Sequence, residues 1–469
     1  MQIKALFILS FLACIFTTRA QSVDSLAVDT SFVPKKTYKS SEIFNVEILY
    51  PVFDKLEAIK KQKQGKVRIV HIGDSHIQAD FLTGTARENF QNYFGNAGVG
   101  FLFPHKLVKT NGNYLAQYKS NAIVKSNRVT KPIGNSPVGI AGYNLETSSK
   151  AFAIEVKIPD AKYAASSLKI ITPGNEPQFQ LAFSSKVVNL GGTAVKSSVH
   201  KIKSGETLSS IASKYNISIA QLKSANNLKD SSIRAGKVLK VPNQVAVDTS
   251  FNTSQFETET LTKGIASHDY TSNQSFSRFY LLPNSDFSNY TLNGIVLEND
   301  LPGITYSGIG VNGSRYSDFN KYDLVFNQLQ ALNPDLVVVS FGTNESFDKL
   351  SDEAYLKSVL KFIDNVKKYN PNTIVLATTP PPSSLYRKYL NTYAQDYANG
   401  LVEMAMTEKN LAVWNLFEVF GGLHGVNSNL SNGLMGNDKV HYTKKGYEQQ
   451  GQLLSDAFIK AFQDYIFNK

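Results

Sequence analysis

Cysteine is nearly absent from this chain, since Cys14 is the only one among 469 residues. A single cysteine excludes an intramolecular disulfide framework and a metal site built from several thiolates. We expect the segment that holds Cys14 to be removed, which also excludes a cysteine nucleophile from the mature chain. Four of the histidines, His105, His200, His268 and His424, show no metal-ligand spacing. The sequence therefore predicts no metal site and no other cofactor.

Long apolar stretches are scarce as well. The stretch from Ala5 to Phe16 is too short to span a bilayer comfortably, and no other segment is long or apolar enough for a transmembrane segment. It follows Lys4 and ends at Thr18-Arg19-Ala20, a pattern typical of a signal peptide. We therefore expect residues 1–20 to be cleaved off and the protein to be secreted across the inner membrane, into the periplasm or to the cell surface. Lipidation through Cys14 is the alternative, although the residues before it make a poor lipidation box.

Positive charge is in excess. The formal net charge is +11, and removal of Lys4 and Arg19 with the signal peptide lowers it to +9. A basic exported protein is attracted to anionic polymers, of which the cell wall is one. Nucleic acid is the other usual partner of a basic protein, but the export signal and the scattered lysines argue against it. A solvated basic surface without a polymeric partner is the third interpretation.

The two ends of the chain have the pattern of one α/β domain. An apolar strand at 67–72 leads into Gly73-Asp74-Ser75, and a helical pattern follows at 81–93. Continuous apolar runs are typical of buried parallel strands. Further strands are predicted at 336–341, 373–377 and 411–414, and helices at 51–64, 353–368, 386–409 and 443–466. We assign residues 21–114 and 306–469 to this domain, with residues 21–50 as an extended strap.

The middle of the chain has a different pattern. Residues 115–197 and 244–305 contain short runs in which apolar and polar residues alternate, separated by turn residues. This pattern predicts an all-β insert, a sandwich in form. Residues 198–243 interrupt it with a helical pattern between two short strands. The predicted order is thus nested, with a small module inside a β domain that itself splits the α/β domain.

The small module resembles a known family. Residues 199–212 and 233–242 carry the resemblance, and together they cover nearly the whole module, which is similar to the LysM domain. The resemblance implies a βααβ fold that binds N-acetylglucosamine-containing glycans such as peptidoglycan. It places the glycan groove between two loops, formed here by Gly205, Glu206, Thr207, Leu208, Ile233 and Arg234. Retention of the module for spacing alone is the alternative.

Four motifs occur in order along the α/β domain: Gly73-Asp74-Ser75, Asn312-Gly313, Gly342-Thr343-Asn344-Glu345 and Asp438-Lys439-Val440-His441. Each alone is a weak signal, because a serine in a turn or a glycine before a helix is common. Together they resemble the SGNH/GDSL hydrolases, which implies a flavodoxin-like three-layer fold with a parallel sheet. The motifs around Ser75 and Asn344 directly follow strands, and ligands bind outside the carboxyl ends of the strands in such sheets.

The resemblance also implies roles. Ser75 is the expected nucleophile, His441 its general base, and Asp438 the residue that orients the imidazole. The expected oxyanion donors are the backbone N–H groups of Ser75 and Gly313 and the side-chain amide of Asn344. The alternative is that these residues are ordinary helix caps, turns and surface positions.

One branch of this family is especially similar. The segments 73–78, 310–314 and 341–345 resemble the peptidoglycan O-acetylesterases, whose SGNH domain carries an inserted β-sandwich. The LysM module departs from their usual layout, although it fits the substrate. We therefore expect an esterase that removes O-acetyl groups from peptidoglycan. Esterases or lipases with another acyl substrate, and a catalytically silent wall-binding protein, are the alternatives.

Overall fold

A computed structural model of the chain describes residues 41–131, 136–190, 193–215, 217, 219–228, 230, 232–246 and 253–469. The predicted signal peptide and most of the predicted strap, residues 21–40, lie outside the described residues.

The helices are α1 Tyr50–Gln62, α2 Ser75–Gln78, α3 Phe81–Phe94, α4 Leu208–Lys214, α5 Ile219–Ala225, α6 Tyr316–Phe319, α7 Asp323–Leu329, α8 Thr343–Phe347, α9 Asp352–Tyr369, α10 Thr392–Thr407, α11 Leu416–Val419, α12 Gly425–Ser431 and α13 Lys444–Asn468. The strands are β1 Ile43–Phe44, β2 Lys66–Gly73, β3 Gly100–Leu102, β4 Gln117–Ser120, β5 Leu145–Thr147, β6 Ile154–Lys157, β7 Ala165–Ile171, β8 Phe179–Phe183, β9 Thr193–Lys201, β10 Val238–Ala246, β11 Glu257–Glu259, β12 Thr262–Lys263, β13 His268–Phe276, β14 Arg278–Pro283, β15 Tyr290–Leu292, β16 Gly294–Glu298, β17 Gly303–Gly310, β18 Leu336–Ser340, β19 Ile374–Thr378, β20 Ser384–Leu385, β21 Tyr389–Leu390 and β22 Leu411–Trp414.

The central sheet has six strands in the order β1-β22-β19-β18-β2-β17. Five of them are parallel, and only β1 pairs antiparallel with β22. Taken in chain order, the parallel strands lie 2-1-3-4-5, which is the flavodoxin-like arrangement. The predicted fold class is confirmed.

Side chains of β18 show why three layers form. Successive residues of a strand point to opposite faces. Val337 and Val339 belong to the hydrophobic cluster that includes residues of α7, α9 and α10. Leu336 and Val338 belong to the cluster that includes residues of α1, α3 and α13. Both faces of the sheet are therefore covered, which is why its strands are continuous apolar runs.

The insert consists mainly of two five-stranded antiparallel sheets, with strand orders β11-β8-β14-β6-β4 and β12-β13-β7-β16-β3. Apolar side chains of both sheets, among them Leu168 and Phe279, share one buried cluster, as in a sandwich. The short strand β3 pairs with β16, so the insert already draws on residues 100–102, ahead of the predicted boundary at 115.

The small module lies between β8 and β11. Its strands β9 and β10 pair antiparallel, and α4 and α5 lie between them in sequence, which gives the order βααβ. Seven buried residues form its own core: Ile202, Leu208, Ile211, Ala212, Leu222, Leu239 and Val241.

One predicted helix starts later than the sequence suggested. The helix predicted at 386–409 is α10, and it begins at Thr392 behind the cap Asn391. The residues before it form the hairpin of β20 and β21. None of the helices in the described ranges combines the length and the apolar character needed to cross a bilayer.

Candidate active site

Ser75 stands where the central strand β2 meets the short helix α2. Gly73 ends the strand, and a side chain there would collide with Ile77 and with the carbonyl oxygen of Ser340, at 2.5 and 2.6 Å. Glycine therefore lets the chain turn tightly against β18 before the serine. The Ser75 hydroxyl oxygen is partly exposed and lies 3.0 Å from Nε2 of His441.

His441 is held by the loop before α13. Its Nδ1 lies 2.8 Å from Oδ2 of Asp438, and the other carboxylate oxygen accepts hydrogen bonds from the backbone N–H groups of Val440 and His441. Partial burial raises the pKa of Asp438, but these hydrogen bonds outweigh it and hold the pKa below its usual value. A carboxylate beside Nδ1 favours the imidazole tautomer with its proton on Nδ1. Nε2 is then free to accept the serine proton.

The loop after β17 brings Gly313 to the same edge of the sheet. The backbone N–H of Val311 donates to the Gly73 carbonyl across 3.1 Å, which ties this loop to the turn before Ser75. Gly313 has φ +78°, and no atom lies within 4 Å of the place that a Cβ would occupy. Within the described ranges, the backbone N–H groups of Ser75 and Gly313 have no protein acceptor. Both are available to an incoming oxygen.

Asn344 follows β18 on the other side of Ser75. Its side-chain amide donates to the Ser314 carbonyl at 3.0 Å and to Oδ2 of Asp74 at 3.3 Å. The amide predicted as an oxyanion donor therefore has two protein acceptors in the structure. The bond to Asp74 is the longer and hence the weaker of the two.

Two buried carboxyl groups support this loop. Asp74 accepts from the His76 backbone N–H at 2.9 Å, and burial raises the pKa of Asp74 to about 7. Glu345 accepts from the backbone N–H groups of Tyr316 and Gly342, and burial raises the pKa of Glu345 to about 8. Asp74 thus holds the turn after Ser75, and Glu345 ties the start of the Asn344 helix to Tyr316.

The neighbouring histidines lie in the interior. His76 contacts the Thr343 hydroxyl at 3.2 Å and the Tyr447 hydroxyl at 3.0 Å, and burial lowers its pKa to about 3. His71 is fully buried between Tyr306 and Ser340. Both ring nitrogens of each histidine contact other side chains, so neither histidine is placed to act as the base for Ser75.

Gln78 is a residue whose role the sequence did not reveal. Its Oε1 accepts from the backbone N–H of Asn312, next to Gly313, at 2.5 Å. Its Nε2 donates to the Thr110 hydroxyl and to the Asn111 carbonyl, each at 2.8 Å. The available signal was its place at the end of the segment 73–78, which carries the resemblance to the peptidoglycan O-acetylesterases.

The six glycan-contact residues predicted in the module differ in what they expose. Leu208 is buried in the module core, so only its backbone could face a ligand. Glu206 accepts from His200 Nε2 at 2.7 Å and from the Lys203 backbone N–H. Thr207 and Ser210 cap α4 by reciprocal hydrogen bonds. The remaining three are Gly205, with φ +83°, partly buried Ile233, and exposed Arg234.

Comparisons with known families match two parts of the chain. Residues 200–242 match the LysM domain, and residues 284–449 match the GDSL-like lipase/acylhydrolase family. The second range includes Gly313, Asn344, Asp438 and His441. The chain thus carries a LysM domain and a GDSL-like acylhydrolase domain.

A solved structure of a peptidoglycan O-acetylesterase is similar over 88% of this chain and 96% of its own, with a TM-score of 0.58 and 19% identity. At that identity the likeness concerns the fold. A probable N-acetylmuramidase of Lactococcus lactis subsp. lactis (strain IL1403) is 38% identical over 89 residues, 17% of this chain and 20% of the relative. The probable autolysin SsaALP of Staphylococcus aureus (strain NCTC 8325 / PS 47) is 33% identical over 88 residues, which are 16% of this chain and 33% of the relative. The chain spans no more than a third of these curated relatives.

Proposed function

We propose that this chain is an exported serine esterase that removes O-acetyl groups from peptidoglycan, and that its LysM domain holds it on the wall. One observation carries the proposal. Ser75, His441 and Asp438 form a continuous chain of contacts of 3.0 and 2.8 Å at the carboxyl edge of the parallel sheet. This is the arrangement that a serine nucleophile, a base and an orienting carboxylate require.

The first half of the reaction transfers the acetyl group to the enzyme. Ser75 Oγ attacks the acetyl carbonyl carbon while Nε2 of His441 takes the hydroxyl proton, and Asp438 stabilises the imidazolium that forms. The oxyanion accepts from the N–H groups of Ser75 and Gly313, and from Asn344 once its amide exchanges the long bond to Asp74 for this oxygen. When the intermediate collapses, His441 returns the proton to the departing sugar oxygen, and Ser75 carries the acetyl group.

The second half restores the serine. A water molecule replaces the sugar, His441 removes one of its protons, and the resulting hydroxide adds to the acetyl carbonyl. The same donors receive the oxyanion. Collapse then breaks the bond to Ser75 Oγ, which recovers its proton from His441, and acetic acid leaves and releases its proton to solvent as acetate. Side chains and backbone groups of this chain thus supply the nucleophile, the base and the oxyanion donors.

The substrate class is supported by the LysM domain. LysM domains bind N-acetylglucosamine-containing glycans, so the domain would hold the esterase close to glycan strands and raise its effective concentration there. The named relatives, an N-acetylmuramidase, an autolysin and a peptidoglycan O-acetylesterase, agree with this placement. The signal peptide proposed at 1–20 would deliver the protein to the periplasm or the cell surface, and the net charge of +9 would favour an anionic wall.

A substrate comparison tests the proposal. Purified protein is incubated with O-acetylated peptidoglycan, with glycerol triacetate and with a long-chain acyl ester, and the released acid is measured. The proposal predicts the highest kcat/KM for the peptidoglycan ester. Preference for the long-chain ester would assign the protein to the lipases. Wall binding without release of any acid would indicate a catalytically silent binding protein.

A further inference from the structure

A two-stranded hairpin stands at the rim of the candidate active site. It consists of β20 and β21, and it is attached to both sides of the site. The backbone N–H of Ser384 donates to the carbonyl of Lys439, which lies two residues before His441, at 2.8 Å. At the same open end of the hairpin, Asn391 donates to the hydroxyl of Ser346, two residues after Asn344, at 2.8 Å. The open end of the hairpin is thus tied both to the loop of His441 and to the helix of Asn344.

The hairpin exposes large aromatic side chains. Tyr386 is 58% exposed and Tyr389 is 62% exposed, while Leu385, the last residue of β20, is buried. The Tyr386 ring packs edge-on against Phe347, the last residue of the helix that carries Asn344, with ring centroids 6.2 Å apart. Exposed Leu390 extends the surface. The three exposed residues lie within five positions of one another on this hairpin, and exposed apolar side chains that cluster in this way are a mark of a binding site.

The turn of the hairpin is strained. Tyr386 and Arg387 both have left-handed backbone conformations, with φ of 51° and 65°, and the Lys388 N–H donates to the Leu385 carbonyl. Residues such as Asn and Gly are preferred at left-handed turn positions, because bulky residues are strained there. Strain of this kind costs about 1–3 kcal/mol per residue and concentrates at sites that hold ligands.

We infer that the hairpin is a saccharide-stacking wall of the active site, which binds a pyranose ring of the glycan strand that carries the scissile acetyl group. The inference rests on the proposed function. A pyranose ring has apolar faces of C–H groups and a polar rim of hydroxyls, and an exposed tyrosine matches both with its ring and its hydroxyl. The hairpin is hydrogen-bonded to Lys439 and to Ser346, each two residues from His441 or Asn344, so a sugar bound on it would belong to the same strand as the ester.

A specificity ratio tests the inference. Acetate release is measured on soluble O-acetylated glycan fragments and on glycerol triacetate, which has no ring, and the two values of kcat/KM are divided. In Tyr386→Ala/Tyr389→Ala we expect the ratio to fall about tenfold, mainly through a higher KM for the glycan, because ring contacts of this kind contribute roughly tenfold in affinity. Tyr386→Phe/Tyr389→Phe keeps the rings and should keep most of the ratio. Phe467→Ala, which removes an exposed aromatic ring from the end of α13, should leave the ratio as in the wild type.

A second variant separates binding from folding. Tyr386→Asn/Arg387→Gly installs the preferred turn, so it should raise the melting temperature and still lower the specificity ratio. If the wild type acts on the glycan and the specificity ratio is unchanged in both the alanine and the Asn-Gly variants, the hairpin does not bind the sugar. That result would overturn the inference and leave the proposed function intact. If the variants lost activity on long-chain esters and kept it on the glycan, the hairpin would bind a lipid chain. That result would also overturn the inference. A wild type that releases acetate from glycerol triacetate but not from glycan would defeat the proposed function, and the inference with it.

Discussion

Gln78 accepts a hydrogen bond from the backbone N–H of Asn312 across 2.5 Å, and so fixes the loop that presents Gly313. We predict that Gln78→Ala lowers kcat by about 10²-fold while KM changes much less, because misplacing a catalytic group by about 1 Å has an effect of that size. Kinetics on a soluble acetyl ester measure the split. Gln178→Ala removes an equally buried glutamine from the sandwich and is the matched control. Equal loss of kcat in both variants would show that Gln78 only stabilises the fold.

Asp438 orients the imidazole of His441 through a contact of 2.8 Å. In Asp438→Asn the new amide would favour the wrong tautomer, with the proton on Nε2, which cannot accept from Ser75. We therefore predict that kcat falls by about 10²–10⁴-fold. Asp286→Asn on an exposed sandwich loop serves as the control. A loss of less than about threefold, measured by stopped assays on the same ester, would contradict an orienting role.

Gly313 and Gly65 form a natural pair for a test of the oxyanion loop. Both have positive φ, +78° and +84°, and both have open space where a Cβ would lie. Alanine at either position should lower the free energy of unfolding by about 1–2 kcal/mol through backbone strain. Only Gly313→Ala should also lower kcat, because its methyl group and the relaxed loop would disturb the N–H that faces the oxyanion. Similar kcat values in the two variants would argue against a role for the Gly313 N–H.

Asp74 predicts a specific pH dependence of stability. Its pKa is about 7 in the folded protein, against 3.8 in its ordinary state, because it is buried. Between these two values the folded state keeps a proton that the unfolded state has released, so this group makes the free energy of unfolding fall as the pH rises. Asn cannot titrate. The stability of Asp74→Asn relative to the wild type should therefore increase from about pH 4 to pH 7, as measured by urea unfolding. A constant difference would contradict the raised pKa.

The sheet was predictable from the sequence because a strand covered on both faces needs a continuous apolar run. The run 336–341 became β18, and 411–414 became β22. Less was predictable where elements are short. Three residues of β3 carry too little pattern to show that they pair with β16. The helix predicted from 386 begins at Thr392, since the left-handed turn at Tyr386 and Arg387 has no glycine to mark it.

In the candidate site, as in the fold, the residues with a local sequence signal were predictable and the others were not. The motifs around Ser75, Asn344 and His441 are short and local, so their residues could be named in advance. The partners of Gln78 lie 32 to 234 positions away along the chain, and no local pattern encodes them. For Leu208, the family resemblance and the local helical pattern led to different predictions. Resemblance placed it in a glycan groove, while its helical spacing with Ile211 and Ala212 is that of a core residue, and it is buried.

Ser75→Ala removes the hydroxyl group that the proposed reaction requires as its nucleophile. Wild type and variant are incubated side by side with O-acetylated peptidoglycan, and acetate release is followed with time, with alkali-treated, deacetylated peptidoglycan as the blank. We expect steady release by the wild type, none from the blank, and a loss of about 10⁶-fold in the variant with an unchanged melting temperature. Release by Ser75→Ala at a rate near that of the wild type would rule out Ser75 as the nucleophile, because the ester would then be cleaved without the serine.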